Sequence, residues 1–181
     1  MKIAVIRQKY VNYGGAEQFV SEYTTHLANA GHNIHIFANQ WSSSGHSNIQ
    51  VHPVRAIKLN SFLRTLSFAW YAARAVRAES FDIVQSHERT WFQDVYRAGD
   101  GCHREWLERR ANYLPSVKRL TFRFNLFHQL VLRLEKAIFE SGKCKKIIAI
   151  SEMVKRDILK HYKLPEDRIE VVYNGVRLDR F

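Results

Sequence analysis

The sequence has few cysteines, no long apolar run and few acidic residues for its size. The only two cysteines among the 181 residues, Cys102 and Cys144, lack the spacing of a metal site. Isolated cysteines favour a reducing cytoplasm over a disulfide-stabilised setting. No apolar stretch approaches the roughly 20 residues that span a membrane, and a patterned strand follows a single lysine, so no signal peptide is expected.

The shortage of acidic residues gives the chain a strong positive charge. Twenty-eight Lys and Arg against seventeen Asp and Glu give a formal net charge of +11. This balance favours an anionic partner: nucleic acid, an anionic membrane surface or a phosphorylated substrate. Charge alone does not choose among them. The nine histidines are scattered, so no metal site is predicted.

The first forty residues predict a strand, a helix and a second strand. Apolar runs at residues 2–7 and 33–38 are typical of buried strands, and a helical stripe between them ends near Gly31. Gly14 and Gly15 precede the helix, where unpaired N–H groups and the helix dipole favour an anion. The pair lacks the G-x-G-x-x-G fingerprint, so it either binds an anion or only makes a tight turn.

Strands alternate with helices along the rest of the chain. Further strands are predicted at residues 49–54, 81–86, 94–99, 145–150 and 168–173. Ser61 and Ser151 are predicted caps of two of the helices. The alternation predicts an α/β fold with a doubly wound parallel sheet, Rossmann-like in topology.

Two polar clusters follow the predicted fourth and fifth strands. The first is 87–89 and the second is 100–105. Because ligands bind outside the carboxyl ends of strands in open α/β sheets, both clusters are expected on the edge that holds Gly14 and Gly15. Taken singly, each charge has the simpler interpretation of a solvated loop residue. Asp100 has a second interpretation, as the cap of the following helix.

Residues 117–139 are predicted to be helical and are both apolar and basic. Their apolar residues cover more than one helix face, and Lys118, Arg119 and Arg123 are interspersed. This helix is either buried on two sides or offers a face to a bilayer or partner. The helix after Ser61 also mixes aromatic residues with arginines, and there packing on the sheet with a basic edge is favoured over membrane contact.

Several motifs resemble family 4 retaining glycosyltransferases, which have two Rossmann-like domains in the GT-B architecture. They are Gly14-Gly15-Ala16-Glu17 near the start, Ile148-Ala149-Ile150-Ser151-Glu152, and Val172-Tyr173-Asn174-Gly175-Val176-Arg177-Leu178-Asp179-Arg180-Phe181, which is similar to the join between the two domains. The stretch Asp94-Val95-Tyr96-Arg97-Ala98-Gly99-Asp100 resembles the branch that glucosylates the heptose of lipopolysaccharide core.

The resemblance implies the N-terminal half of a GT-B enzyme. Residues 1–173 would form the acceptor-side domain, and 174–181 would begin the hinge to a missing C-terminal donor-binding domain. The full-length enzyme would move a sugar from a nucleotide-sugar, such as a UDP-sugar, to a saccharide or lipid-linked acceptor with retention, in lipopolysaccharide or cell-envelope glycan synthesis. No metal or cofactor is expected, and this chain alone should be inactive.

The resemblance also implies roles for particular residues. Gly14 and Gly15 would bind the donor diphosphate, and Asp100 with His103 would be catalytic. The acceptor would be bound by His87, Glu88, Arg89 and Arg104. The protein would be cytoplasmic and peripheral on the anionic inner membrane face, with no nucleic acid bound. The alternatives are a basic nucleic-acid-binding domain and a non-catalytic nucleotide-binding domain.

Overall fold

The computed structural model describes residues 1–9, 15–41, 46–115 and 124–175. Its strands are β1 Lys2–Ile6, β2 Asn33–Ala38, β3 Ile49–Pro53, β4 Ile83–Ser86, β5 Val95–Ala98, β6 Lys146–Ala149 and β7 Ile169–Val171. Its helices are α1 Gly15–Asn29, α2 Ser61–Arg77, α3 His103–Asn112, α4 Leu126–Glu140 and α5 Glu152–His161, with a 3-10 turn at Glu166–Arg168.

The seven strands form one parallel sheet in the order β3-β2-β1-β4-β5-β6-β7. The chain therefore runs outward from β1 in one direction, then returns to β4 and runs in the other. This confirms the predicted doubly wound α/β fold. The point where the strand order reverses, between β1 and β4, is where such sheets leave a crevice for ligands.

Alternate residues of β1 enter cores on opposite faces of the sheet. Ile3 and Val5 pack in the core that contains Val20 of α1. Ala4 and Ile6 pack in the core that contains Phe68 of α2. Because both faces are covered, the strand is apolar throughout, as the sequence pattern predicts.

Helix α4 is buried on two sides. Leu130 and Leu134 pack against Ala69 of α2, whereas Ile138 joins the core around β5 and β6. This favours the first interpretation of the apolar helix for its described part. Residues 116–123, with Lys118, Arg119 and Arg123, lie outside the described residues. Among the helices of the described ranges, none has the length and apolarity to cross a membrane.

The predicted helix ends are confirmed in two cases and wrong in one. Gly31 has a φ of +85°, the left-handed conformation expected after α1, and the Ser151 hydroxyl accepts from the Val154 N–H at 3.2 Å. Ser61 is not a cap. Asn60 holds that position, and its Oδ1 accepts from the Leu63 N–H at 2.8 Å. An asparagine amide caps a helix as well as a serine hydroxyl does.

Helices α3 and α5 are joined by charged groups around Glu105. This buried carboxylate accepts from Lys160 Nζ at 2.6 Å and from Arg109 Nε at 2.9 Å, and its Oε2 lies 2.6 Å from His161 Nε2. These hydrogen bonds, with Lys160 foremost, lower the pKa of Glu105 to about 2.

We expect this cluster to stabilise the fold above the ordinary glutamate pKa and to fail in acid. Because the pKa of Glu105 is lower in the folded state than in the unfolded state, its contribution is complete above about pH 4.5 and is lost toward pH 2. Urea unfolding of Glu105→Gln and wild type should therefore show a stability difference that shrinks as the pH falls from 6 to 3. A difference independent of pH would contradict this. Glu170→Gln, at an exposed acid, is the control.

Candidate active site at the carboxyl edge of the sheet

Loops after four strands bring polar residues together at the carboxyl edge of the sheet. We call this edge the rim: residues 7–8 after β1, 87–89 after β4, 99–101 after β5 and 172–175 after β7, with Arg97 and the start of α1. Contacts between these loops support the predicted convergence of the two polar clusters.

Glu88 ties the β4 loop to the β1 loop. Its Oε1 lies 3.3 Å from Arg7 Nη1 and accepts from the Gln8 N–H at 3.1 Å. Burial raises the pKa of Glu88, and the Arg7 charge opposes that rise. This carboxylate therefore holds a proton more readily than a solvated one does.

Arg89 ties the β4 loop to the β5 loop. Its Nη1 lies 3.7 Å from Asp100 Oδ2, and its Nη2 donates to the Gly101 carbonyl at 3.0 Å. The Arg89 side chain is 13% exposed, whereas that of Asp100 is 58% exposed. The Asp100 carboxylate is therefore open to solvent at the rim, beside a mostly buried cation.

The other side of Arg89 is held by Glu135, a fully buried residue of α4. Glu135 Oε1 accepts from Arg89 Nε at 3.1 Å, and its Oε2 accepts from the Tyr162 hydroxyl at 2.8 Å. The backbone N–H groups of His103 and Arg104 also donate to this carboxylate, at 2.7 and 3.3 Å. A side chain from a different helix therefore satisfies the first turn of α3. The interpretation of Asp100 as the cap of that helix is wrong, because Cys102 holds the cap position without a side-chain cap bond.

The side chain of His87 is buried below the surface of the rim, next to the rings of Phe19 and Tyr23. The Gln85 amide donates to its Nε2 at 3.0 Å, and Tyr23 donates to the Gln85 carbonyl at 2.8 Å. An accepting Nε2 requires a neutral ring. Burial, together with the charges of Arg97 and Arg7, lowers the pKa of His87 to about 3.

His103 and Arg104 begin α3, next to the rim. His103 Nε2 lies 3.1 Å from His128 Nδ1, and its ring stacks on half-exposed Trp106 with centroids 5.4 Å apart. Burial and the Arg89 charge lower the pKa of His103 to about 4, so its ring is neutral at pH 7. The Arg104 side chain points along α3, with its Nε 3.9 Å from Glu108.

Arg97 is a rim residue that the sequence predictions missed. It lies on β5, with its guanidinium 3.8 Å from the centroid of Phe19 and donating to the Asn174 side chain. A Cβ on Gly99 would lie only 2.9 Å from Arg97 Nη1, so glycine makes room for this side chain. Burial, followed by the charge of neighbouring Arg7, lowers the pKa of Arg97.

The glycine pair is only partly described. Gly15 is the first residue of α1, which follows β1 at the rim, as predicted. Gly14 lies outside the described residues. Helix N-termini favour anions, and the Arg97 guanidinium lies against Phe19 of α1. This end of α1 is therefore suited to an anionic group.

One group of side chains within the described ranges could hold a metal ion. Glu105, Glu108 and His161 place ligand atoms within 4.8 Å of one another. Lys160 and Arg109 already bond to the Glu105 carboxylate, so a metal ion would have to displace two cations. We interpret this cluster as structural.

The sequence matches a family profile over nearly all of its length. Residues 13–180 match the family described as Glycosyltransferase Family 4. The chain belongs to this family.

Two known proteins resemble this chain in structure, and one of them also resembles it in sequence. The chain is 23% identical over 180 residues to the lipopolysaccharide glucosyltransferase WaaG of Escherichia coli (strain K12), covering 99% of the chain and 46% of that protein. The crystal structure of WaaG superposes with a TM-score of 0.83 at 22% identity, over 98% of the chain and 46% of WaaG. A sucrose-phosphate synthase from Thermosynechococcus elongatus superposes with a TM-score of 0.67 at 15% identity, over 99% and 49%. The chain thus has the Rossmann-like fold found in GT-B glycosyltransferases and spans about half the length of these proteins.

Proposed function

We propose that this chain is the acceptor-side half of a retaining glycosyltransferase of lipopolysaccharide or cell-envelope glycan synthesis. It would act with a donor-binding domain beyond residues 174–181 to move a hexose from a nucleotide-sugar to a saccharide or lipid-linked acceptor. The observation that most supports this is an exposed carboxylate, Asp100, which lies 3.7 Å from the Arg89 guanidinium at the rim of a member of a glycosyltransferase family.

The donor diphosphate would lie at the start of α1. Backbone N–H groups of Gly14 and Gly15 would donate to phosphate oxygens, and the helix dipole would favour the growing negative charge. Arg97 adds a positive charge next to α1. No metal or other cofactor is required in this proposal, because protein groups stabilise the departing diphosphate.

Asp100 would hold the acceptor hydroxyl near the anomeric carbon. The bond from that carbon to the diphosphate oxygen breaks, and the hydroxyl oxygen bonds to the same face of the sugar. The departing phosphate takes the hydroxyl proton. Neutral His103 is the second catalytic candidate and would help Asp100 to orient the hydroxyl. Arg89 would hold Asp100 in place, and Glu88 and Arg104 would contact the acceptor. Because His87 is buried, it would support the site from below and not bind the acceptor as the resemblance implies.

We expect the chain alone to unfold cooperatively in a thermal melt but to transfer no sugar. The seven strands and the helices on both faces of the sheet form packed cores within the described residues, whereas turnover is proposed to need a donor-binding half. Release of nucleoside diphosphate from nucleotide-sugar donors measures this. The positive control is the longer enzyme, by which we mean this chain together with the proposed donor-binding domain. Acceptor-dependent release by the chain alone would contradict the two-domain proposal.

We further propose that the protein is cytoplasmic and contacts the anionic inner face of the cell membrane through residues 113–126. Tyr113, Phe124 and Leu126, which flank the segment left outside the described residues, are 89%, 70% and 63% exposed. Exposed aromatic and apolar residues beside Lys118, Arg119 and Arg123 suit an anionic bilayer surface.

The protein should therefore bind anionic vesicles and be released as salt rises. Each basic residue near such a surface contributes about 1 kcal/mol, which salt screens. Replacing Lys118, Arg119 and Arg123 with Gln should weaken vesicle cosedimentation by at least about tenfold without lowering the melting temperature. The control replaces three exposed cations elsewhere, Lys143, Arg156 and Lys163. Equal weakening in the control, or equal binding to neutral vesicles, would refute this surface.

A further inference from the structure

A groove of about 660 Å³ lies between α2 and the β4–β5 loop. Six residues line it: Trp70, Ala73, Arg74, Arg77, Ala78 and Trp91. The small alanine side chains leave room between the two large indole rings. Trp70 is 49% exposed and Trp91 is 37% exposed. The volume is within the range of small-molecule sites, roughly 300–1,000 Å³.

The groove is positively charged. Among the described residues, neither Arg74 nor Arg77 has a carboxylate partner, and no acidic residue lines the groove. Each guanidinium lies on an aromatic ring instead: Arg74 is 5.6 Å from the Trp70 centroid and Arg77 is 4.6 Å from that of Phe92. Two full charges exceed the roughly half negative charge of the helix end at which they lie, so the groove attracts anions.

Indole and guanidinium together recognise a particular kind of ligand. The C–H faces of a pyranose ring carry partial positive charge and pack on the electron-rich face of an indole. Guanidinium groups bind phosphate through two parallel N–H···O bonds. A bare phosphate would use only the arginines, and an uncharged sugar would use only the indoles.

We propose that this groove binds a phosphorylated saccharide, as a subsite for a part of the acceptor remote from the reacting hydroxyl. This assignment as an acceptor subsite rests on the proposed function. Trp91 belongs to the loop that also carries Glu88 and Arg89, and Arg89 contacts Asp100. One short loop therefore carries residues of both the groove and the rim, and this shared loop is the reason for proposing that one extended acceptor contacts both.

The test uses the side-chain N–H signals of the tryptophans in ¹H–¹⁵N NMR spectra of this chain. The sequence has four tryptophans, so each signal can be assigned with one Trp→Phe variant. Glucose 6-phosphate is the probe, and glucose and inorganic phosphate are titrated separately. We expect saturable shifts of Trp70 and Trp91, with Trp41 and Trp106 unmoved, and at least about tenfold weaker binding of either component alone.

A charge-removing variant and its matched control complete the test. Arg74→Gln with Arg77→Gln should weaken glucose 6-phosphate binding by at least about tenfold, because the variant loses both guanidinium groups proposed to bind the phosphate. Both side chains are exposed, so we expect the melting temperature to change little. Arg133→Gln with Arg156→Gln removes the same charge from exposed sites elsewhere and should leave binding unchanged. Equal weakening in both variants would overturn the site.

Other outcomes identify a different occupant or a different role. Equal affinity for phosphate alone, no shift with glucose 6-phosphate, or shifts only with anionic vesicles would each overturn the saccharide site. In the longer enzyme, we expect the Arg74/Arg77 variant to raise the acceptor KM at least about tenfold with little change in kcat. An unchanged KM would remove the acceptor role alone, whereas absence of transfer by wild-type enzyme would refute the proposed function and leave the binding result standing.

Discussion

Asp100→Asn in the longer enzyme should reduce turnover by roughly 100-fold or more. The amide keeps the size of the side chain. Its neutral oxygen, however, is a weaker acceptor for the hydrogen bond from the acceptor hydroxyl than the charged carboxylate is. Donor affinity should be nearly unchanged, because the proposed diphosphate site lies at α1. Initial rates at saturating acceptor, together with donor titrations, measure both effects.

The melting temperature of the same variant separates catalysis from stability. Asp100 is mostly exposed and does not cap α3, so its replacement should change the melting temperature little. Glu88→Gln should cost less activity, because that carboxylate is proposed to contact the acceptor and to tie the β4 loop to the β1 loop, not to hold the reacting hydroxyl. An Asp100→Asn enzyme that is fully active but less stable would contradict the catalytic assignment.

Glu135→Ala should destabilise the chain by about 3–5 kcal/mol. The change leaves the Arg89 guanidinium without its buried partner and removes the acceptor of two N–H groups at the start of α3. Urea unfolding at pH 7 measures the loss. The Tyr162 hydroxyl also loses its partner, and Tyr162→Phe alone should cost only about 1 kcal/mol.

Two further variants distinguish the buried ion pair from general sensitivity to substitution. Glu166→Gln removes a carboxylate that is 68% exposed and should change stability by less than about 1 kcal/mol. Arg89→Met combined with Glu135→Leu replaces both buried charges with apolar groups and should recover part of the loss. A Glu135→Ala chain as stable as wild type would refute the structural role of this pair.

The sheet could be predicted from the sequence because it depends on local patterns. Short apolar runs bounded by turn residues place all seven strands, and the observed ends differ by at most two residues. The cap of α2 was misplaced by one residue because Asn60 and Ser61 are equally suitable in composition. Such one-residue errors do not alter which side chains reach the rim.

The charged interior could not be predicted in the same way. Glu135 follows Val131 by four residues and precedes Ile138 by three, so it lies on the apolar stripe of α4 and its burial could have been noticed. Its partner Arg89 is 46 residues away in the sequence, and no local rule pairs them. Arg97 likewise interrupts an apolar strand, but its contacts with Phe19 and Asn174 depend on the tertiary fold.

The most direct test of sugar transfer at the rim is ¹H NMR of the anomeric protons during a reaction of the longer enzyme. With a nucleotide-sugar and a saccharide acceptor, the donor signal should decline while a glycoside of the same anomeric configuration appears. The Asp100→Asn enzyme should form that product roughly 100-fold more slowly. A product of inverted configuration would contradict retention, and wild-type rates from the Asp100→Asn enzyme would contradict the site itself.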